Sequence, residues 1–322
     1  MTLLLREADV EALLPMSEAV HLVREALSTQ SSMGGTNLPR RRLDLERGVL
    51  NVMAASVPCP RADGLKAYTV ARGGARFLVA LWDRHDGTLL ALIEADNLGR
   101  IRTGAASGVA TDALANPAAE VLAVIGSGNQ ARTQVNAVAS VRKLRRIRVF
   151  SRSAEHRVAF ASDLAETLSI DARACDSAQE AVSGAEIIVT ITSSAEPVIE
   201  GHWLTSGCHL NVVGSNWAAR REVDTETVAR SNLVCVDSTE QAHLEAGDLL
   251  IPVHEGRLSW ESVVELGDIL AGQAPGRANH DDITLFKSLG IAVEDVAVAR
   301  HVYNCAVSQG VGEQTNFGDV GE

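Results

Sequence analysis

Aromatic residues are scarce, with 5 Phe, 4 Trp and 2 Tyr among 322 positions. An interior built on ring packing is excluded, so Ala, Val and Leu must fill the core, as they do in layered α/β proteins. Cysteines are few, odd in number and scattered: Cys59, Cys175, Cys208, Cys235 and Cys305, with no C-x-x-C. This argues against a disulfide framework. It points instead to a reducing cytoplasm, where each thiol serves as a small core hydrophobe. The nine histidines adopt no ligand spacing, and no metal site is expected. Positive charge is in deficit, giving a net charge of −12, which argues against nucleic-acid or anionic-membrane partners. No apolar run approaches the ~18 residues of a membrane span. The N-terminal stretch lacks a cleavage-site pattern, so neither an anchor nor a signal peptide is expected.

What is present is 46% apolar residues and a length sufficient for two domains. The most informative stretch is residues 120–152. Val121 to Ile125 is a short, partly β-branched apolar run and reads as a buried parallel strand. Gly126-Ser127-Gly128-Asn129-Gln130-Ala131 follows, then a helical pattern from about Gln130 to Ser140, then a second strand from Arg146 to Phe150. This G-x-G-x-x-A in a strand–turn–helix–strand setting is the dinucleotide fingerprint. Gly126 permits the tight turn, Gly128 lets backbone approach a pyrophosphate, and Ala131 lets helix and strand pack closely. Asn129 and Gln130 complete the cradle, where free N–H groups face the phosphates. No acid follows Phe150 to hold a ribose 2′-hydroxyl; Ser151 and Arg152 stand there instead and suit a 2′-phosphate. NADPH is therefore favoured over NADH as the NAD(P)H cofactor.

Before this stretch, helical patterns at 9–14 and 17–33 precede a hairpin over 41–45 and 48–55. The run Arg40-Arg41-Arg42 must send neighbouring side chains to opposite sheet faces. At least one arginine should therefore point inward. Lys66 lies in an apolar strand, where a lysine either reaches the surface or lines a site. Residues 97–115 form a small-residue helix bearing Arg102 and Thr103, and Asn116-Pro117 marks a boundary. After the fingerprint, strands alternate with helices, which implies an open parallel sheet with ligands at its carboxyl edge. Thr192, Ser193 and the Gly214–Asn216 loop fall at that edge. A helix is expected at 258–270, a last helix at 283–305 capped by Asp282, and a frayed glycine-rich tail thereafter.

The chain resembles the ornithine cyclodeaminase/mu-crystallin family over about residues 1–312. The resemblance rests on Ile101-Arg102-Thr103-Gly104-Ala105-Ala106, the glycine turn, Ala195-Glu196-Pro197-Val198, Arg221-Glu222-Val223-Asp224, Val236-Asp237-Ser238, Glu245-Ala246-Gly247-Asp248 and the stretch from Phe286 to Asp295. It implies a Rossmann doubly wound parallel sheet at 116–282. An α+β substrate-binding and dimerisation domain would comprise 1–115 with the helix within 283–312 returning to it, leaving 313–322 as a tail. It also implies a homodimer acting on small α-imino or α-amino acids. Arg41 would hold the substrate carboxylate, and Lys66 would touch substrate and move a proton. Arg102 and Thr103 would bind cofactor phosphate, with Arg102 also near substrate. Ser288 and Leu289 would close over nicotinamide and substrate, and Thr192, Ser193 and Asn216 would orient ring and substrate.

Cyclodeaminases carry an aspartate at the position of Asn216, which cannot exchange a proton at neutral pH. The expected activity is therefore NAD(P)H-dependent reduction of an α-imino acid to an L-amino acid. Candidate substrates are a cyclic ketimine such as pyrroline-2-carboxylate, or an acyclic imine such as iminosuccinate or iminopyruvate. The alternatives are an ornithine cyclodeaminase that releases ammonia and a non-catalytic NADPH-binding protein of crystallin type.

Overall fold

The computed structural model describes residues 1–317. The chain opens with β1 (Thr2–Leu5), α1 (Glu7–Leu13) and α2 (Met16–Met33), then five strands: β2 (Thr36–Leu45), β3 (Gly48–Val57), β4 (Ala62–Ala71), β5 (Gly74–Trp82) and β6 (Leu89–Glu94). Helix α3 (Asp96–Leu114) leads to β7 (Val121–Ile125), α4 (Ala131–Val141), β8 (Arg146–Phe150), α5 (Ala154–Leu168), β9 (Asp171–Ala174), α6 (Ala178–Val182), β10 (Ile187–Thr190) and β11 (His209–Val212). Then come α7 (Thr225–Arg230), β12 (Leu233–Val236), α8 (Thr239–Glu245), α9 (Gly247–His254), β13 (Val263–Glu265), α10 (Leu266–Leu270), β14 (Thr284–Lys287), α11 (Ala292–Gln309) and β15 (Glu313–Thr315).

The chain divides into two compact units: residues 1–106 with 290 onward, and residues 107–289. The division thus falls inside α3 and just after β14, where the sequence pattern pointed to 115/116 and 282/283.

Unit 1 holds a seven-stranded sheet in the order β15-β1-β6-β5-β4-β3-β2, antiparallel except where β1 meets β6. Leu45 pairs with Gly48, so Glu46 and Arg47 make a two-residue hairpin turn. Helix α11 lies against β3, β4 and β5. It approaches so closely that a Cβ on Gly64 would stand 2.7 Å from Val296. Pro15, rather than Ser17, occupies the N-cap of α2, and Gly34 at φ 77° ends that helix in the left-handed conformation.

Unit 2 holds an eight-stranded, fully parallel sheet in the order β13-β12-β14-β11-β10-β7-β8-β9. Along β7, Leu122 and Val124 enter one apolar cluster while Ala123 and Ile125 enter another. That is the alternation of a strand covered on both faces. Order reverses at β7, which has β8 on one side and β10 on the other. This is the switch point at which a doubly wound sheet opens a crevice.

Three expectations fail in unit 2 and the segment that follows it. Residues 284–287 form the central strand β14, paired with β11 and β12, and the last helix begins only at Ala292. A short apolar run suits a buried strand as well as a helix, and partners on both sides decide for strand. The helix expected at 258–270 is a 3-10 turn, β13 and the five-residue α10. Residues 313–315 are not frayed but pair with β1, itself a strand that the sequence pattern did not reveal; residues 318–322 of the expected tail lie outside the described residues.

Candidate active site

In unit 2, the turn after β7 opens a groove of about 830 Å³. Gly126, Gly128, Asn129 and Gln130 line it, as do Ser151 and Arg152 after β8 and Thr192 and Ser193 after β10. Gly126 has φ 122°, and a Cβ there would overlap the Ile191 carbonyl. Only glycine serves at such a position. A Cβ on Gly128 would meet nothing of the protein within 4 Å, so the space beside it is open to a ligand. Ala131 is fully buried at the start of α4, and no side chain caps that helix. The Ala131 N–H already donates to the Gly128 carbonyl at 2.9 Å, and the turn of helix that follows has no side-chain cap in the way of a pyrophosphate. The Ser127 hydroxyl donates to Ser151 at 2.8 Å, joining the glycine turn to the end of β8. These residues therefore fit a dinucleotide, with its adenosine side toward β8 and its nicotinamide side toward β10.

In unit 1, Lys66 on β4 is 2% exposed and donates to Asp295 Oδ1 at 2.7 Å. Arg102 Nε donates to the same oxygen at 2.9 Å, and its Nη1 donates to Glu294 at 2.8 Å. Glu294 and Asp295 sit in the first turn of α11, where the helix dipole favours negative charge. Burial lowers the Lys66 pKa and the neighbouring Arg102 adds to the fall; Asp295 opposes both, and the result is about 8. Burial by itself would raise the Asp295 carboxyl, but Arg102 and Lys66 outweigh it and hold the group below its ordinary value. Tyr68 and Phe77 stack at 5.0 Å, and their rings stand 5.7 and 5.4 Å from Lys66 Nζ. Two of the chain's few aromatic rings thus wall this buried acid–base pair. Such a lysine, desolvated yet protonated near neutral pH, is equipped to donate a proton.

The structure does not bring Arg41 to this cluster. Arg41 pairs with Val52, and Val52 with Ala67, whereas Lys66 pairs with Met53. Paired residues share a face and neighbours alternate, so Arg41 lies on the face opposite Lys66. Arg41 is exposed, while Arg40 is 5% exposed and donates to the Gly290 carbonyl at 2.8 Å. A register shift between Leu38 and Arg41 sets this orientation. Arg40 is also close enough to Lys66 to depress its pKa. It is therefore the arginine that the structure gives to this cluster.

The other expected residues are placed as follows. Thr103 is buried and its hydroxyl donates to Gly99 O at 2.7 Å; the Arg102 guanidinium is engaged with the two carboxylates. Ser288 and Leu289 are buried after β14, and Asp237 Oδ2 accepts the Leu289 N–H at 2.6 Å. Asn216 is half-buried in the loop after β11. Thr192 Oγ1 donates to Glu222 at 2.7 Å and accepts from Ser194 N at 3.2 Å, so this hydroxyl is committed within the protein.

Sequence reasoning missed Asp295 and Glu294, and also a charge cluster in unit 2. Glu222, Asp248 and Lys287 are all 0% exposed. Lys287 Nζ lies 2.9 Å from Asp248 Oδ2 and donates to the Ser215 carbonyl at 2.6 Å. Asp248 Oδ1 accepts the Glu222 N–H at 2.6 Å. The signal available was their place in the short motifs around Glu222, Asp248 and Lys287, whose purpose the sequence does not reveal. Among the described residues, no cluster of His, Cys, Asp and Glu is placed to hold a metal, and no helix is long and apolar enough to cross a membrane.

A parallel sheet with this groove at its switch point defines a dinucleotide-binding protein. Comparison with known proteins narrows the class. The chain matches the ornithine cyclodeaminase/mu-crystallin family over residues 1–310 and belongs to it. It is 39% identical over 280 residues to a Delta(1)-pyrroline-2-carboxylate reductase of Bacillus cereus, covering 84% of this chain and 86% of that protein. The structure of the Thermococcus litoralis Delta(1)-pyrroline-2-carboxylate reductase in complex with NADH and L-proline is 34% identical, with a TM-score of 0.93 over 98% of this chain and 100% of that one. An archaeal alanine dehydrogenase dimer with bound NAD is 31% identical, with a TM-score of 0.93 over 98% of this chain and 99% of that one.

Proposed function

We propose that this protein reduces the carbon–nitrogen double bond of an α-imino acid to give an L-amino acid, with pyrroline-2-carboxylate, reduced to L-proline, as the first candidate. The observation that carries this is the buried Lys66–Asp295 pair, a protonated amine held ready beside cationic side chains. When bound in the groove of unit 2, a reduced nicotinamide supplies the hydride for the imine carbon. Lys66 supplies the proton for the nitrogen, and Asp295 holds its ammonium in place. Arg40 and Arg102 supply positive charge for the substrate carboxylate. Asn216 offers hydrogen bonds without a titrating proton, which favours net reduction over deamination.

We further infer a preference for NADPH, supported by Ser151 and Arg152 in the groove and by the lack of an acid at the end of β8. A homodimer is supported by the exposed apolar face of the unit 1 sheet. Leu38, Leu43, Leu45 and Leu78 lie on that face, between 42% and 58% exposed. The structurally similar alanine dehydrogenase is described as a dimer. A cytoplasmic location is supported by five cysteines that all remain free thiols.

The test is nicotinamide oxidation with a panel of cyclic and acyclic imino acids, with NADPH and NADH in parallel. Turnover of at least one imino acid is expected. Ammonia release from ornithine without net cofactor oxidation would overturn the reading in favour of a cyclodeaminase. Tight NADPH binding with no turnover, unaffected by Lys66→Ala, would overturn it in favour of a ligand-binding role.

A further inference from the structure

The carboxylate of Glu222 receives four hydrogen bonds. Its Oε1 accepts the Thr192 N–H at 2.6 Å and the Thr192 hydroxyl at 2.7 Å. Its Oε2 accepts the Gly214 N–H at 2.6 Å and the Thr190 hydroxyl at 2.8 Å. Thr190 ends β10, Thr192 follows it, and Gly214 follows β11. One side chain thus ties together the two loops at the carboxyl ends of neighbouring strands. The packing is close: a Cβ on Gly214 would overlap both Thr192 O and Glu222 Oε1. The loop after β11 is held from a second direction by Lys287, which bonds Ser215 O and pairs with Asp248, whose other oxygen fixes the Glu222 backbone.

We propose that Glu222 is a positioning residue for the nicotinamide side of the cofactor groove, acting through Thr192 and Gly214. The proposal rests on the reading of this groove as an NAD(P)H site. Thr192 and Gly214 line the groove on the β10 side, and the glycine turn and Arg152 line the rest. Glu222 therefore sets the shape of one side only. Its chemistry cannot be supplied by a neutral isostere. Each carboxylate oxygen faces one backbone N–H, and backbone donors cannot turn away. A glutamine would aim its own N–H2 group at Gly214 N or at Thr192 N, whichever way it flipped. One buried donor would be left facing another, and the two loops would move apart.

The experiment measures dissociation constants of the whole enzyme for NADPH and for 2′-phospho-ADP-ribose, which lacks the nicotinamide ring. Wild type, Glu222→Gln and Thr192→Val are compared. In Glu222→Gln, NADPH affinity is expected to fall roughly ten- to hundredfold, the scale of a hydrogen bond to a charged group. Affinity for the ring-less fragment is expected to hold within about twofold, because distant sites behave independently. Thr192→Val keeps the carboxylate and both backbone donors, so it should show the same split at roughly threefold. Nicotinamide fluorescence in the bound state should change in the same order. Parallel losses for NADPH and fragment in both variants, or no loss for NADPH, would overturn the positioning role. Should Glu222→Gln fail to fold, the Thr192→Val ratio decides the matter. If wild type binds neither these ligands nor NADH and ADP-ribose, the cofactor reading itself falls, and this inference with it.

Discussion

Lys66 Nζ and Arg102 Nε donate to the same oxygen of Asp295, at 2.7 and 2.9 Å. Two cations converging on one carboxylate oxygen, all nearly solvent-free, is an arrangement that stability alone does not favour. It makes sense if the cations serve a substrate and Asp295 keeps them in place until one arrives. Asp295→Asn removes the carboxylate that the two share and leaves Arg102 with Glu294 alone. It is expected to cost about 3–5 kcal/mol of stability, as breaking a buried pair does. It should also reduce kcat by about a hundredfold or more, the usual worth of a positioned proton donor. Thermal unfolding and steady-state kinetics on one preparation test both. An asparagine variant with unchanged kcat would remove Asp295 from the chemistry.

The pH dependence follows from the Lys66 value of about 8. The lysine is needed as an acid, so the active form is the protonated one. Its folded pKa lies below the ordinary lysine value, and the proton is lost as pH rises through about 8. The reduction rate should therefore be level on the acid side of that point. Above it, the rate should fall about tenfold per pH unit. Lys66→Arg should abolish the fall, because a guanidinium stays protonated, although the rate itself drops. A wild-type profile that rises with pH in this range would make Lys66 a base.

The dinucleotide turn was legible because its signal is local: strand, Gly126, Gly128 and Ala131 lie within a dozen residues. The buried charges were not, because their partners are distant in the chain. Lys66 and Asp295 are 229 positions apart, and no periodicity announces such a pair. Which arginine faces Lys66 was illegible for a different reason. A single irregularity between Leu38 and Arg41 decides which side chain faces Lys66, and shifting a strand by one residue exchanges its faces. Residues 284–287 resisted for a third reason, since an apolar run shows neither period.

Arg40 and Arg41 give a direct comparison. Arg40→Ala should raise KM for the imino acid roughly ten- to hundredfold, the loss of one charge-assisted hydrogen bond. Arg41→Ala should leave KM within about twofold, because its side chain is on the sheet face opposite Lys66. Initial-rate kinetics on the two variants suffice. The reverse pattern would return the carboxylate to Arg41.

The sheet face bearing Leu43 and Leu78 should be covered by a second copy of the chain. A charge placed in an apolar interface costs several kcal/mol on desolvation, so Leu43→Asp is expected to shift the protein from dimer to monomer in light scattering. Leu43 is 58% exposed in the single chain, so the fold of unit 1 should survive the change. A wild-type protein that is monomeric at every concentration measured would refute the expectation outright.

Cofactor choice should be reversible at the end of β8. Arg152 is exposed and lines the groove beside Ser151 and Ser153. An arginine there can pair with a 2′-phosphate, which NADH lacks. Arg152→Ala is therefore expected to raise KM for NADPH about tenfold or more while leaving that for NADH nearly unchanged. Ser151→Asp goes further, since a carboxylate can accept from the ribose hydroxyls but repels a phosphate. It also places a charge against the Ser127 hydroxyl, which now meets Ser151 at 2.8 Å and can donate to the new group as well. The ratio of kcat/KM for the two cofactors should fall with Arg152→Ala and invert with the added aspartate. Equal losses for both cofactors would mean that Arg152 supports the loop rather than the phosphate, and the inferred NADPH preference would lose its structural basis.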